Sequence, residues 1–397
     1  RWMGSHEFGI YVYVWTWVML IGGLLDVGLA SAAQRFIPKY TNEGAFENLR
    51  GFLLGGRWLT FGIATVIAIV GVFCINLLSH RLDDYTIIPL YLGCIALPIC
   101  GVMNLQDAIS RSYNWAYLAL TPQYIVRHVL LVVFLGGAIL AGFPADAATT
   151  VAVAGLSMWV AAFGQMILLN RRLRQTVVQG PNNYEPRSWL ANAAPIKLVE
   201  SFYLLLTYTD ILILNQFRSP DDVAIYYAAG KSLALVAFVY FAVSAAASHK
   251  FTEYHVSGAH ERLEEFIVAT VRWTFWPSLI GIGFVLALGW PLLWMFGPRF
   301  VEGYPLIFVL AIGMLARASI GPGERLLNML GEQKACMMVV MTAFAFNIVA
   351  CLLLIPRYGA MGAATALSAS FVLESILFFI VTKRQIGVHM FIWGLRR

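Results

Sequence analysis

Eleven ionisable side chains stand inside long apolar runs of this sequence: Asp26, Arg57, Asp107, Arg127, Lys197, Glu200, Asp210, Lys231, Arg272, Arg317 and Glu374. A charge in the middle of a hydrocarbon layer costs about 2.5–3.5 kcal/mol on insertion scales, so each is a candidate functional group. The carboxylates Asp26, Glu200 and Asp210 could bind a proton or a sodium ion. A blander reading competes, in which the charges neutralise one another. Asp210 and Lys231 lie at matching depths in successive helices, and Asp26 and Arg57 form a similar pair nearer the opposite side. Lys197 and Glu200 are i, i+3 neighbours on one helix face. The seven histidines show no ligand spacing such as HExxH. The five cysteines fall in apolar runs, are odd in number and lack a CxxC spacing. Neither set calls for a metal or a cofactor, and no catalytic constellation is present.

The elements that must carry these groups are membrane-spanning helices. Of 397 residues 60% are hydrophobic and 12% charged, about half the charge of a soluble domain. Runs near the ~20 residues needed for one span follow one another, and the alternating strands of a closed barrel are missing. The runs give eleven spans, at 8–36, 52–78, 86–110, 119–142, 147–170, 191–217, 223–249, 266–290, 303–323, 335–355 and 359–382. Loop charge alternates between them. Arg35, Lys39, Arg50, Arg111, Arg171, Arg172, Arg174, Arg187, Lys250, Arg262, Arg325, Lys334, Lys383 and Arg384 fall on one side, which the positive-inside rule makes cytoplasmic. The N-terminus then lies outside and the C-terminus inside. The net charge of +6 reflects these loops rather than a nucleic-acid partner. Arg111, Arg325, Lys334 and the cluster at 171–174 read as topology determinants. Tyr11, Tyr13, Trp15, Trp273, Trp276 and Trp294 read as interfacial anchors.

The chain also repeats itself. At an offset of 215 residues Ile10-Tyr11 falls on Ile225-Tyr226, Arg35-Phe36 on Lys250-Phe251, and Arg57-Trp58 on Arg272-Trp273. Two repeats in one orientation imply an even number of spans per half, as in many transporters. The halves are expected at 1–175 and 191–397, joined by a cytoplasmic linker at 176–190 that holds Gly180-Pro181-Asn182-Asn183. The span at 191–217 has no counterpart ahead of residue 8, so a first helix is expected to be missing, making eleven of about twelve.

Several segments carry a resemblance. Glu7-Phe8-Gly9-Ile10-Tyr11 with Leu25-Asp26-Val27-Gly28-Leu29 and Arg35-Phe36 resembles the second helix of bacterial polysaccharide flippases. These flippases belong to the multidrug/oligosaccharidyl-lipid/polysaccharide exporter superfamily. Tyr208-Thr209-Asp210-Ile211-Leu212 with Ser219-Pro220 and Tyr226-Tyr227-Ala228-Ala229 is similar to the same family, as is Phe296-Gly297-Pro298-Arg299-Phe300 with Tyr304-Pro305. The most specific segment runs from Leu354 to Ala364. There Pro356 and Gly359 make a tight turn, and Gly362, Ala363 and Ala364 allow close helix packing.

The resemblance implies an all-α polytopic protein of the bacterial inner membrane, with two six-helix lobes around a central cavity. The implied cargo is a polyprenyl-pyrophosphate-linked oligosaccharide, turned to the outer face by alternating access. Membrane lipids and polysaccharide polymerase machinery are the other implied partners. An anionic head group demands cations in a wet cavity, which singles out Arg57, Arg127, Lys231 and Arg272. The family's cavity is lined chiefly by the first two helices of each lobe, which raises Asp26, Lys197, Asp210 and Lys231 and lowers Glu374. A multidrug or cation antiporter of the same superfamily is the alternative, though it would favour acidic groups. A polysaccharide polymerase or ligase would need a sizeable outer loop, and the longest here is about a dozen residues.

Overall fold

The computed structural model describes residues 2–256, 259–387 and 389–392, and among these all regular structure is helical. The first apolar run, expected as one span, forms two helices, α1 (Gly4–Leu24) and α2 (Leu29–Asn42). After α3 (Phe46–Leu78) and α4 (Asp84–Ser112), α5 (Ala116–Thr121) passes through a π-helical turn at Pro122–Val126 into α6 (Arg127–Leu140). Pro122 has no amide to donate, and the Arg127 N–H reaches back to its carbonyl, widening the turn to i→i+5. Then come α7 (Ala147–Thr176), α8 (Pro186–Phe217), α9 (Pro220–Ser232), α10 (Ala234–Val256) and α11 (His260–Phe296). A 3-10 segment at Pro298–Gly303 leads to α12 (Tyr304–Ile320), α13 (Gly323–Met329) and α14 (Gln333–Ile386).

All eleven expected spans coincide with a helix or a pair of helices. By length and composition eight of the described segments can cross a membrane, or nine if the bent pair Pro220–Ser232 and Val236–Ser244 is one span. One of these segments, Gln333–Gln385, contains two expected spans. The apolar side chains point outward to a degree that water would not tolerate. On α3, Val66, Ile69, Val70, Phe73 and Leu77 are all exposed. None of the apolar window of Ala116–Leu140 is buried. Apolar faces of that extent mark a lipid-facing surface. The protein is therefore a polytopic α-helical membrane protein.

The chain forms two compact units. One comprises Ile10–Leu204, the other Leu205–Arg397 with Met3–Gly9. In the first unit α2, α3, α4 and α7 close around Phe36, Phe52, Leu105, Ile109 and Leu169, with Trp189 at the start of α8 set edge-on to Phe52 at 5.3 Å. The stretch read as a linker is pinned there. Arg50 donates from Nε to the Pro181 carbonyl at 2.8 Å and from Nη1 to the Val178 carbonyl at 2.7 Å, and the Asn183 N–H donates to the Glu47 carbonyl at 3.0 Å.

In the second unit the segment from Leu354 to Ala364 turns as its residues require. α14 breaks at Gly359, whose φ of 56° and ψ of −133° suit glycine alone. A Cβ at Gly362 would stand 2.4 Å from the Leu354 carbonyl oxygen, and Ala363 and Ala364 are fully buried. Gly359→Ala is expected to destabilise the protein by ~1–3 kcal/mol through backbone strain, and Gly362→Val by at least as much through overpacking. Thermal melting of the detergent-solubilised variants checks both. An unchanged melting temperature for Gly362→Val would contradict the close approach.

Candidate functional site

In the first unit the break between α1 and α2 gathers charge. Val27 and Gly28 both take positive φ, 47° and 81°. For β-branched Val27 that is a strained conformation, held only because its surroundings fix it. Asp26 sits at the break with its Oδ2 accepting the Ala30 N–H at 3.2 Å. α8 passes close by, since a Cβ at Gly28 would stand 2.5 Å from the Ala193 carbonyl oxygen. One turn further along α8, Lys197 places its Nζ 2.6 Å from Asp26 Oδ1. The side chains are 13% and 2% exposed, so the pair is largely dry. Glu200 completes the group, with Oε2 3.5 Å from Lys197 Nζ and Oε1 accepting the Ser31 hydroxyl at 2.6 Å. The result is carboxylate, ammonium, carboxylate beside a broken helix, and broken helices are where transporter sites are commonly built.

Arg57 lies apart from this group. The expected Asp26–Arg57 pair does not form, because Lys197 takes the carboxylate. Arg57 Nη1 instead donates to the Asn170 side-chain oxygen at 2.5 Å, from α3 to α7. Its Nε and Nη2 are buried and find no partner among the described residues. A guanidinium offers five N–H donors in a planar fork suited to carboxylate or phosphate, and here most of that fork is uncommitted. Arg127, just past the π turn, holds its guanidinium carbon 6.0 Å from the Trp15 ring centroid. Asp107 pairs with Arg111 one turn along α4.

The second unit uses its charges differently. Asp210 is 2% exposed and accepts the Tyr226 hydroxyl. The expected Asp210–Lys231 pair is replaced. Lys231 Nζ lies over the Tyr227 ring at 5.0 Å. Successive residues of a helix point about 100° apart, while Tyr227 and Lys231 share a face at i, i+4. A carboxylate facing Tyr226 therefore does not face Lys231. Arg317 is held between the rings of Tyr240 and Phe371 at 5.1 and 4.8 Å, with Nη2 3.5 Å from Glu374 Oε1. Arg272 is exposed on α11.

Ser31, Asn170 and Tyr226 escaped the residue-type reading because neutral polar groups carry no charge signal. The one available signal was Gly28, directly after Asp26-Val27. A double-mutant cycle tests the ion pair. Lys197→Met leaves Asp26 as an uncompensated buried charge and should cost ~3–5 kcal/mol. Asp26→Asn with Lys197→Met should recover part of that loss, with a coupling of ~0.5–3 kcal/mol. Strict additivity in unfolding measurements would rule the pair out.

The family described as "Polysaccharide biosynthesis protein" matches residues 1–249. No curated relative matches the chain. Among solved structures, it is similar to an inward-facing multidrug resistance MATE family transporter of the MOP superfamily. That likeness has a TM-score of 0.76 at 15% identity, covering 96% of this chain and 89% of that one. The lipid II flippase MurJ in an inward closed conformation gives 0.74 at 14% identity, covering 96% and 82%. A MOP superfamily transporter from Pyrococcus furiosus gives 0.71 at 16%, covering 96% and 88%. At such identities the likeness shows the fold, and the fold is that of these transporters. The family match extends over more than half of the sequence, and the chain belongs to the polysaccharide biosynthesis protein family.

Proposed function

We propose that this protein is a flippase. It turns a polyprenyl-pyrophosphate-linked oligosaccharide from the cytoplasmic to the outer face of the bacterial inner membrane by alternating access, and has no enzymatic role. The family match supports a place in polysaccharide synthesis. The observation that carries the charge of the cargo is Arg57, a buried guanidinium with Nε and Nη2 unpartnered among the described residues. Leaving such donors buried without an acceptor costs free energy, and an anionic ligand would remove that cost. A pyrophosphate meets the need with charge-assisted hydrogen bonds. Arg127, Lys197, Lys231 and Arg272 are the further cationic contacts in this reading. Lys197 also belongs to the ion-coupling group with Asp26 and Glu200, and Asp210 is its candidate equivalent in the second unit.

The alternative is a multidrug or cation antiporter of the same superfamily. Its support is the buried carboxylates Asp26, Asp210 and Glu374, together with the fold shared with the MATE transporter. The two readings differ in what Arg57 should do, since a cationic drug would be repelled by it.

The deciding experiment reconstitutes the protein in liposomes holding a fluorescent polyprenyl-pyrophosphate oligosaccharide in one leaflet. Flipping should be measurable, and Arg57→Gln should slow it by about tenfold or more, the loss of one charged hydrogen-bonding contact of ~1.5–3 kcal/mol. Arg57→Lys should restore only part of the rate, because an ammonium is a point charge without the fork. Efflux of a cationic dye that Arg57→Gln accelerates, with no glycolipid flipping, would favour the antiporter and reject the flippase.

A further inference from the structure

A cavity of about 560 Å³ opens in the first unit where α4 hands over to α5, against the end of α7. Its lining combines polar and cationic groups, Asn114, Arg171, Arg172 and Gln175, with the apolar Leu118 and Leu168 and the ring of Tyr117. The volume lies within the ~300–1,000 Å³ typical of small-molecule sites. Arg172 is already positioned, with its guanidinium carbon 5.6 Å from the centroid of the Trp115 ring, which is itself stacked on Tyr113 at 4.7 Å. Tyr117 is 75% exposed and belongs to the segment Ala116–Leu140, whose apolar window has no buried residue.

These arginines read in the sequence as topology determinants, and nothing in the transport reading uses them. Arg171 and Arg172 both line the cavity, the second held against an aromatic ring, and together they offer positive charge to an anion. The apolar part of the lining suits an acyl chain. We propose that this cavity binds the phosphate headgroup of an acidic phospholipid, with Arg171 and Arg172 on the phosphate and an acyl chain running out past Tyr117 and Leu168. Basic pockets between membrane helices on the side of the arginine-rich loops suit such headgroups. A zwitterionic lipid brings its own ammonium to the same two arginines and is disfavoured. A free phosphate would leave the apolar wall uncovered.

Native mass spectrometry of the delipidated full chain in mixed micelles tests this. The probes are dioleoyl phosphatidylglycerol, dioleoyl phosphatidylcholine and inorganic phosphate. One phosphatidylglycerol should be retained in clear preference to phosphatidylcholine, and excess inorganic phosphate should not displace it. Arg171→Gln with Arg172→Gln should weaken retention by about tenfold. Arg174→Gln makes the same kind of charge change on the same helix outside the cavity and should leave retention unchanged. Arg171→Gln alone, a change at an exposed side chain, should give a smaller loss in the same direction. Equal retention of the two lipids would overturn the proposal. So would displacement by inorganic phosphate, or a loss in Arg174→Gln matching that of the cavity variants.

Discussion

A carboxylate buried at a helix break in hydrocarbon needs a counter-charge, and Lys197 supplies it to Asp26 at 2.6 Å. The rest of the first unit's site follows from that contact. The break leaves backbone groups of α1 and α2 without helical partners, and Asp26 takes up one of them, the Ala30 N–H. Val27 is held at positive φ, a strain of ~1–3 kcal/mol that persists only where the surroundings over-determine it. Gly28 lets α8 come close enough for Lys197 to reach the carboxylate. Glu200 and Ser31 then extend the pair into a network. A single ammonium joins two chain segments that are about 170 residues apart.

Arg57 and Arg317, one in each unit, show what distinguishes a structural charge from one with capacity to spare. Arg317 has two aromatic rings and Glu374 within reach of its guanidinium. Cation–π contacts of this kind contribute ~0.5–2 kcal/mol, and the guanidinium is committed to its own unit. Arg57 has one neutral amide partner and buried donors left over. Equal charge and similar surroundings in the sequence conceal this difference. It is the hydrogen-bond inventory that separates them.

The spans were legible because apolar runs of about 20 residues have few other meanings, and the turn at Gly359 because Pro356, Gly359 and Gly362 each carry a backbone requirement. The break at Asp26–Gly28 was not. Val27 is a poor candidate for positive φ, and an apolar run gives no sign of where its hydrogen bonds change partner. Ion pairing was legible only within one helix, where spacing fixes the neighbour. Lys197 and Glu200 meet as i, i+3 spacing requires. Pairs between helices depend on rotation about each helix axis, which apolar periodicity leaves free when a helix is apolar all round. That freedom is why Asp26 found Lys197 rather than Arg57, and why Asp210 found Tyr226 rather than Lys231.

The internal repeat shows how the same pair of residues can end in different settings. At the 215-residue offset Arg57 falls on Arg272 and Trp58 on Trp273. Both tryptophans are well exposed, yet only Arg57 has buried donors without partners among the described residues, while Arg272 is exposed. The two arginines occupy matching positions at that offset, and among the described residues only the first of them keeps buried, uncommitted donors. Register in the repeat therefore does not decide which arginine is desolvated; that depends on what packs around each one.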